Sequence, residues 1–228
     1  LETVEVTIWY KYFFQIISYH LNPYKRSINL LISRKPLYRL RYSHHFPTYN
    51  TYQGAPVEHY LSGDFGEVSN LSPYFINSLY AIDRGITWYS KLKDAYLDGD
   101  TILLDRYTTS SLMYQSALIT DIEEKKKFLD YVTDFEYKKI GIKEPDNVIF
   151  LYAPFEMVTK LRNNRKENDG VENDIHERNL EFMKKVYDSA IFVADYLGWD
   201  KIKCNDGDRM KSIEDIHEEI YKLVKKKK

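Results

Sequence analysis

The sequence predicts an α/β fold: a three-layer domain with a parallel sheet and helices on both faces. Three observations predict it. Asn147 to Tyr152 (NVIFLY) is an almost continuous apolar run after Pro145, as suits a strand buried on both faces of a parallel sheet. Ile102 to Asp105 is a second short apolar run that stops on an acid, and the Ser and Thr residues beyond it suit a helix start. Long helical stretches, Ser69 to Leu97 and Asp121 to Ile140, lie between the strands, which is the spacing of a layered α/β domain.

In chain order, Thr3 to Tyr10 alternates Val4, Val6, Ile8 and Tyr10 with Thr3, Glu5, Thr7 and Trp9, the period of two that marks a strand. Lys11 to Leu21 reads as a helix ended by Asn22-Pro23, because the residue before a proline is pushed out of the helical region. Ser27 to Ser33 and Leu37 to Tyr42 read as strands. The long helix Ser69 to Leu97 carries a cap at Ser72-Pro73, and Asp98-Gly99-Asp100 turns the chain into the strand that ends on Asp105. Asp121 to Ile140 has an apolar stripe of Phe128, Tyr131, Val132 and Phe135, suited to scaffold or a dimer surface. A helix begins at Pro154, and Leu161 to Asn179 is polar between apolar helical stretches. Helix Ile175 to Leu197, strand Lys201 to Cys204, a turn at Asn205 to Asp208 and helix Ser212 to Val224 complete the chain, the last with a serine cap and an acidic first turn.

A chain of 228 residues can bury one sizeable core and is read as one domain. With a net charge of −1 there is no electrostatic case for nucleic acid or an anionic membrane, and Lys225 to Lys228 read as a solvated tail. A lone cysteine, Cys204, excludes an internal disulfide framework and fits a reducing compartment. No apolar run approaches the roughly 18 residues a membrane span needs. Glu2 and Glu5 also break the basic-then-apolar order of a secretory leader, so a soluble cytoplasmic protein is expected. The 21 tyrosines read mostly as half-buried packing residues with wet hydroxyls. His176 and His217 lack a neighbouring His or Cys at ligand spacing, so neither marks a metal site.

The chemistry gathers at Thr101 to Gln115 (TILLDRYTTSSLMYQ). Open α/β sheets bind ligands just outside the carboxyl ends of their strands, so Asp105 and Arg106 stand where an anionic or metal-bound substrate is met. Tyr80 and Arg84 are spaced i, i+4 on one helical face, as are Ser111 and Gln115, so each pair can approach one ligand. Asp105-Arg106-Tyr107, Ser110-Ser111-Leu112 and Tyr114-Gln115, together with His45-Phe46-Pro47-Thr48-Tyr49, Gly54 to Gly66 and Tyr80-Ala81-Ile82-Asp83-Arg84, resemble the thymidylate kinase family of P-loop NTPase-like nucleoside monophosphate kinases. The resemblance spans about His45 to Val224. It implies transfer of the γ-phosphate of Mg-ATP to dTMP, giving dTDP, by a homodimer; with the charge balance above, neither nucleic acid nor membrane is expected as a partner.

Residue by residue, the resemblance implies that Phe46 and Pro47 line the acceptor pocket, Tyr80 stacks on thymine and Arg84 bonds a base carbonyl. Asp105 works at the magnesium and phosphate-transfer centre, indirectly at the metal, and Arg106 clamps the acceptor phosphate, for which a planar guanidinium fork is well shaped. Ser111 and Gln115 face the thymine, and Tyr114 disfavours a ribose 2′-hydroxyl. Leu161 to Asn179 resembles the family's lid, with Arg162 and Arg165, and less strongly Lys166, as the cations that stabilise charge during transfer. Asp174 to Glu177 matches the lid's return helix, and the Cys204 to Asp208 turn lies where the family holds adenine.

Residues 1 to 41 depart from the family. A kinase of this kind begins with a strand, a glycine-rich loop ending Gly-Lys-Ser or Gly-Lys-Thr, and a helix, yet the first glycine here is Gly54. A degenerate kinase, an unrelated N-terminal replacement and an N-terminus translated out of frame compete as explanations. The last is favoured because the resemblance stops abruptly. Residues 42 to 228 are taken as the kinase-like domain, with a lid at about 161 to 179. The expectation is that Thr3 to Tyr10 fills the central sheet slot, since an empty slot leaves unpaired edges on both sides. The alternatives are a catalytically inactive dTMP-binding relic and a deoxynucleoside kinase.

Overall fold

The computed structural model of the chain describes residues 3–8, 40–161 and 179–226. Five parallel strands form the sheet: β1 (Thr3–Ile8), β2 (Leu40–His45), β3 (Thr101–Asp105), β4 (Asn147–Tyr152) and β5 (Asp200–Lys203), in the order β2-β3-β1-β4-β5. The alternating stretch at the start therefore does fill the central slot. β1 pairs Val4 with Leu103 on one side and Val6 with Ile149 on the other. The helix expected at Lys11 to Leu21, the strand at Ser27 to Ser33 and the position of a phosphate loop lie outside the described residues. Of the strand expected over Leu37 to Tyr42, residues 37–39 lie outside the described residues; from Leu40 the strand runs on to His45, which its register places opposite Asp105, with an irregularity between Leu40 and Tyr42.

Alternation of side chains along the strands builds the layers. Ile149 and Leu151 of β4 pack with Ile202, Cys204 and Ile216, the last on helix α8 (Ile213–Lys226). Phe150, between them, packs the other way against Met113, Met183, Val186 and Ala190, on helices α4 (Thr108–Tyr114) and α7 (Leu180–Tyr196). A strand clothed on both faces needs the near-continuous apolar run that the sequence carries there. Each such side chain, fully buried, contributes on the order of 1.5–3 kcal/mol.

The remaining helices are α1 (Ala55–Ser62), α2 (Pro73–Thr87), α3 (Lys93–Leu97), α5 (Ile122–Thr133) and α6 (residues 155–161). The stretch Ser69 to Leu97 is not a single helix from its first residue. Val68–Asn70 forms a separate 3₁₀ turn, and α2 starts at Pro73 because Ser72 is extended and its hydroxyl accepts from the Tyr74 N–H. A π-helical turn at Trp88–Leu92 links α2 to α3, and another at Asp134–Ile140 follows α5, whose cap Asp121 accepts from the N–H groups of Glu123 and Glu124. The turn expected at Asn205 to Asp208 is a two-stranded hairpin, β6 (Asn205–Asp206) with β7 (Arg209–Met210). Among the described residues no helix is long and apolar enough to cross a membrane.

Candidate active site

The site forms where β2 and β3 end side by side. His45 and Asp105 are register partners, and His45 Nδ1 lies 2.5 Å from Asp105 Oδ2. The Phe46 N–H donates to the Asp105 carbonyl at 3.1 Å, so the first residue beyond β2 is laced to the last residue of β3. Phe46-Pro47 then turns the chain through a cis peptide bond. Phe46 is core, 2% exposed, against Trp88, Ile102, Leu104 and Tyr107.

Helix α2 grips this turn. Asp83, buried, accepts the Thr48 N–H at 2.8 Å and the Thr48 hydroxyl, which fixes the loop after β2 to the helix that carries Tyr80 and Arg84. At the other side of the site, Arg106 sits in the left-handed region with φ of 60°. A side-chain-bearing residue held there is strained, and such strain concentrates at functional turns. Its guanidinium lies 5.6 Å from the Tyr114 ring centroid. Burial works against its charge, but Tyr114, Asp105, Tyr49 and Tyr80 around it more than offset that and leave Arg106 firmly protonated.

Arg84 is 1% exposed and makes the densest polar network of the site. Nε and Nη2 donate to the two carboxylate oxygens of Glu136, each at 2.6 Å; Nη2 also donates to Ser111 Oγ at 2.8 Å, and Nη1 to the Tyr107 carbonyl at 3.3 Å. Its charge centre lies 5.9 Å from the Tyr80 ring centroid, and Tyr80 in turn packs edge-on against Tyr60. Burial again disfavours the cation, and Glu136 beside it reverses the effect, so Arg84 holds its proton more tightly than a free arginine. Gln115 is buried, and among the described residues its Oε1 has no hydrogen-bond donor; the Ser110 hydroxyl and both polar atoms of Asn77 are likewise buried and without partners there.

Arg84 meets Tyr80 and Ser111, Arg106 lies over Tyr114 just beyond β3, Gln115 ends the same short helix α4, and Asp105 and Phe46-Pro47 stand at the adjoining strand ends. Arg162, Arg165 and Lys166, with residues 162–178 of the lid expected at about 161 to 179, lie outside the described residues. The sequence reading did not single out Glu136 or Asp83. Their signal was an acid on an apolar stripe: Glu136 falls four residues after Val132 and eight after Phe128, and Asp83 falls between Leu79 and Thr87. Among the described residues no group of three or more His, Cys, Asp or Glu side chains is placed to hold a metal ion.

A sequence profile of thymidylate kinase matches residues 33–220. The chain belongs to the thymidylate kinase family. The probable thymidylate kinase 1 of Saccharolobus solfataricus is 36% identical over 96 residues, 41% of this chain, and the thymidylate kinase of Arabidopsis thaliana is 27% identical over 181 residues, 78% of this chain. The thymidylate kinase of Prochlorococcus marinus is 28% identical over 149 residues, 65% of this chain. The chain spans 43%, 57% and 65% of the lengths of these three relatives. A solved thymidylate kinase from Candida albicans shares the fold, with a TM-score of 0.68 at 17% identity, over 99% of this chain and 92% of that one. The thymidylate kinase architecture is therefore the three-layer α/β/α P-loop NTPase arrangement expected from the sequence.

Proposed function

We propose that this chain is a nucleoside monophosphate kinase that transfers the γ-phosphate of ATP to dTMP, giving dTDP for dTTP synthesis. The observation that carries the reading is the division of one site into two chemistries. Arg106, strained and charged beside Asp105, suits a phosphate, whereas Arg84, Ser111 and the Gln115 oxygen, which has no donor among the described residues, suit the donor and acceptor edge of a neutral pyrimidine imide. A buried amide oxygen without a donor is costly unless a ligand supplies one, and an imide N–H does. Tyr80 and Tyr114 provide rings beside base and sugar. Transfer between bound phosphates asks for positioning and charge stabilisation and little covalent work from side chains. Asp105 is a single carboxylate, which fits magnesium held chiefly by substrate phosphates and water; the ion would supply charge neutralisation at the transferring group. Arg162 and Arg165 are assigned to the same charge during lid closure.

A second reading is favoured by the lack of any glycine before Gly54: a chain that binds dTMP without phosphorylating it, its residues 1–41 standing in place of the phosphate-loop strand and helix. Titration with dTMP, thymidine and ATP, with ADP release followed in parallel, separates the readings. The kinase binds dTMP and ATP and forms ADP, the relic takes dTMP alone, and a preference for thymidine over dTMP points to a deoxynucleoside kinase. Absence of any dTMP binding sinks the first two together.

The family's homodimer is also proposed. Phe75, Ile82, Ile86 and Tyr89 line one outward face of α2 and the π turn after it, with Phe75, Ile82 and Tyr89 43%, 47% and 54% exposed. A second copy of the same stripe, related by a two-fold axis, suits this face.

A further inference from the structure

We propose that Glu136 is a positioning residue for the acceptor base, acting through Arg84; the inference rests on the dTMP reading and deepens it. Glu136 is wholly buried in the π-helical turn Asp134–Ile140, and its carboxylate takes three side-chain hydrogen bonds: two from Arg84 and one, at 2.9 Å, from the Thr108 hydroxyl. One carboxylate thereby fixes a guanidinium on α2 to the first turn of α4, immediately after Asp105 and Arg106.

Two consequences follow. The paired charge makes the Arg84 end of the site neutral overall, so it attracts an uncharged base and leaves Arg106 to attract phosphate; the two arginines are sorted by their partners. The Ser111 oxygen also accepts from Arg84, so its own O–H is not spent on that contact and can donate to a base carbonyl. With Glu136 neutralised, the guanidinium loses its anchor, Ser111 loses its orientation, and the base end acquires a net charge.

The test compares the full chain with Glu136→Gln and Thr108→Val, by calorimetric titration with dTMP and by competition with thymidine, alongside thermal melts. Glu136→Gln is expected to weaken dTMP and thymidine by the same factor, about tenfold or more, because the damage lies at the base end. Thr108→Val keeps the ion pair and is expected to weaken both by about threefold. A Glu136→Gln protein that melts cooperatively and binds both as tightly as the parent overturns the inference, as does a loss confined to dTMP. Should Glu136→Gln fail to melt cooperatively, unchanged affinities in Thr108→Val overturn it. A parent chain that takes no dTMP overturns the functional reading first, and is distinguishable because no variant is needed to see it.

Discussion

At the scale of single residues, environment decides what each titratable group does. Cys204 is buried between β5 and the hairpin, and burial pushes its thiol up to about 12, so it is a packing residue without thiolate character near neutrality. His44, packed edge-on against Phe46 at the end of β2, has its imidazole lowered to about 4, first by burial and then by Lys91 and His45, against the opposing pull of Asp83. The folded state therefore holds this ring neutral while the unfolded chain protonates it near its ordinary value of 6.5. The stability it contributes is whole above pH 6.5, declines as pH falls, and is gone below about 4, because the unfolded state binds the extra proton throughout that window. Thermal melts between pH 7.5 and 4.5 should show the parent losing about 5 °C more than a His44→Gln variant. Equal losses would show that His44 is not the group responsible.

At the scale of elements, the loop between β2 and α1 is the joint on which the acceptor end depends. Asp83 holds it from α2, and Gly54 closes it from its far end. A Cβ on Gly54 would stand 2.0 Å from the Thr48 carbonyl oxygen, a backbone atom that cannot swing aside. The constraint is close approach, since the Gly54 φ of −83° is open to any residue. Gly54→Ala should cost about 2–4 kcal/mol in urea unfolding and weaken dTMP by moving Thr48 away from Asp83. A variant of unchanged midpoint would mean that the loop is more yielding than its packing indicates. The two π-helical turns belong to the same scale: one ends α2 beside the core around Phe46, and the other presents Glu136 inward.

At the scale of the whole molecule, layering brings residues distant in sequence to one end of the sheet, and the outer face of α2 remains apolar. If two copies meet there, Ile82→Glu should convert the proposed dimer to monomer in light-scattering chromatography and still melt cooperatively, since Ile82 is 47% exposed in the single chain. A parent chain already monomeric at tens of micromolar would end the dimer proposal.

Much of this was legible in the residues themselves, and the boundary has a physical cause. Local patterns act through neighbours in the chain. The period of two in Thr3 to Tyr10 and the apolar run of Asn147 to Tyr152 therefore predicted strands, Ser72-Pro73 predicted the start of α2, and the Asp105-Arg106-Tyr107 and Tyr80 to Arg84 motifs pointed to the candidate site. What lay beyond local reading were the long-range pairings. From the resemblance Arg84 was expected to bond a base carbonyl; in the fold its guanidinium is held by Glu136, 52 residues away, and Thr48 is held by an acid 35 residues distant. A buried charge takes whichever counter-charge the packing of helices brings within reach, and only the folded arrangement of α2, α4 and the turn after α5 sets that choice.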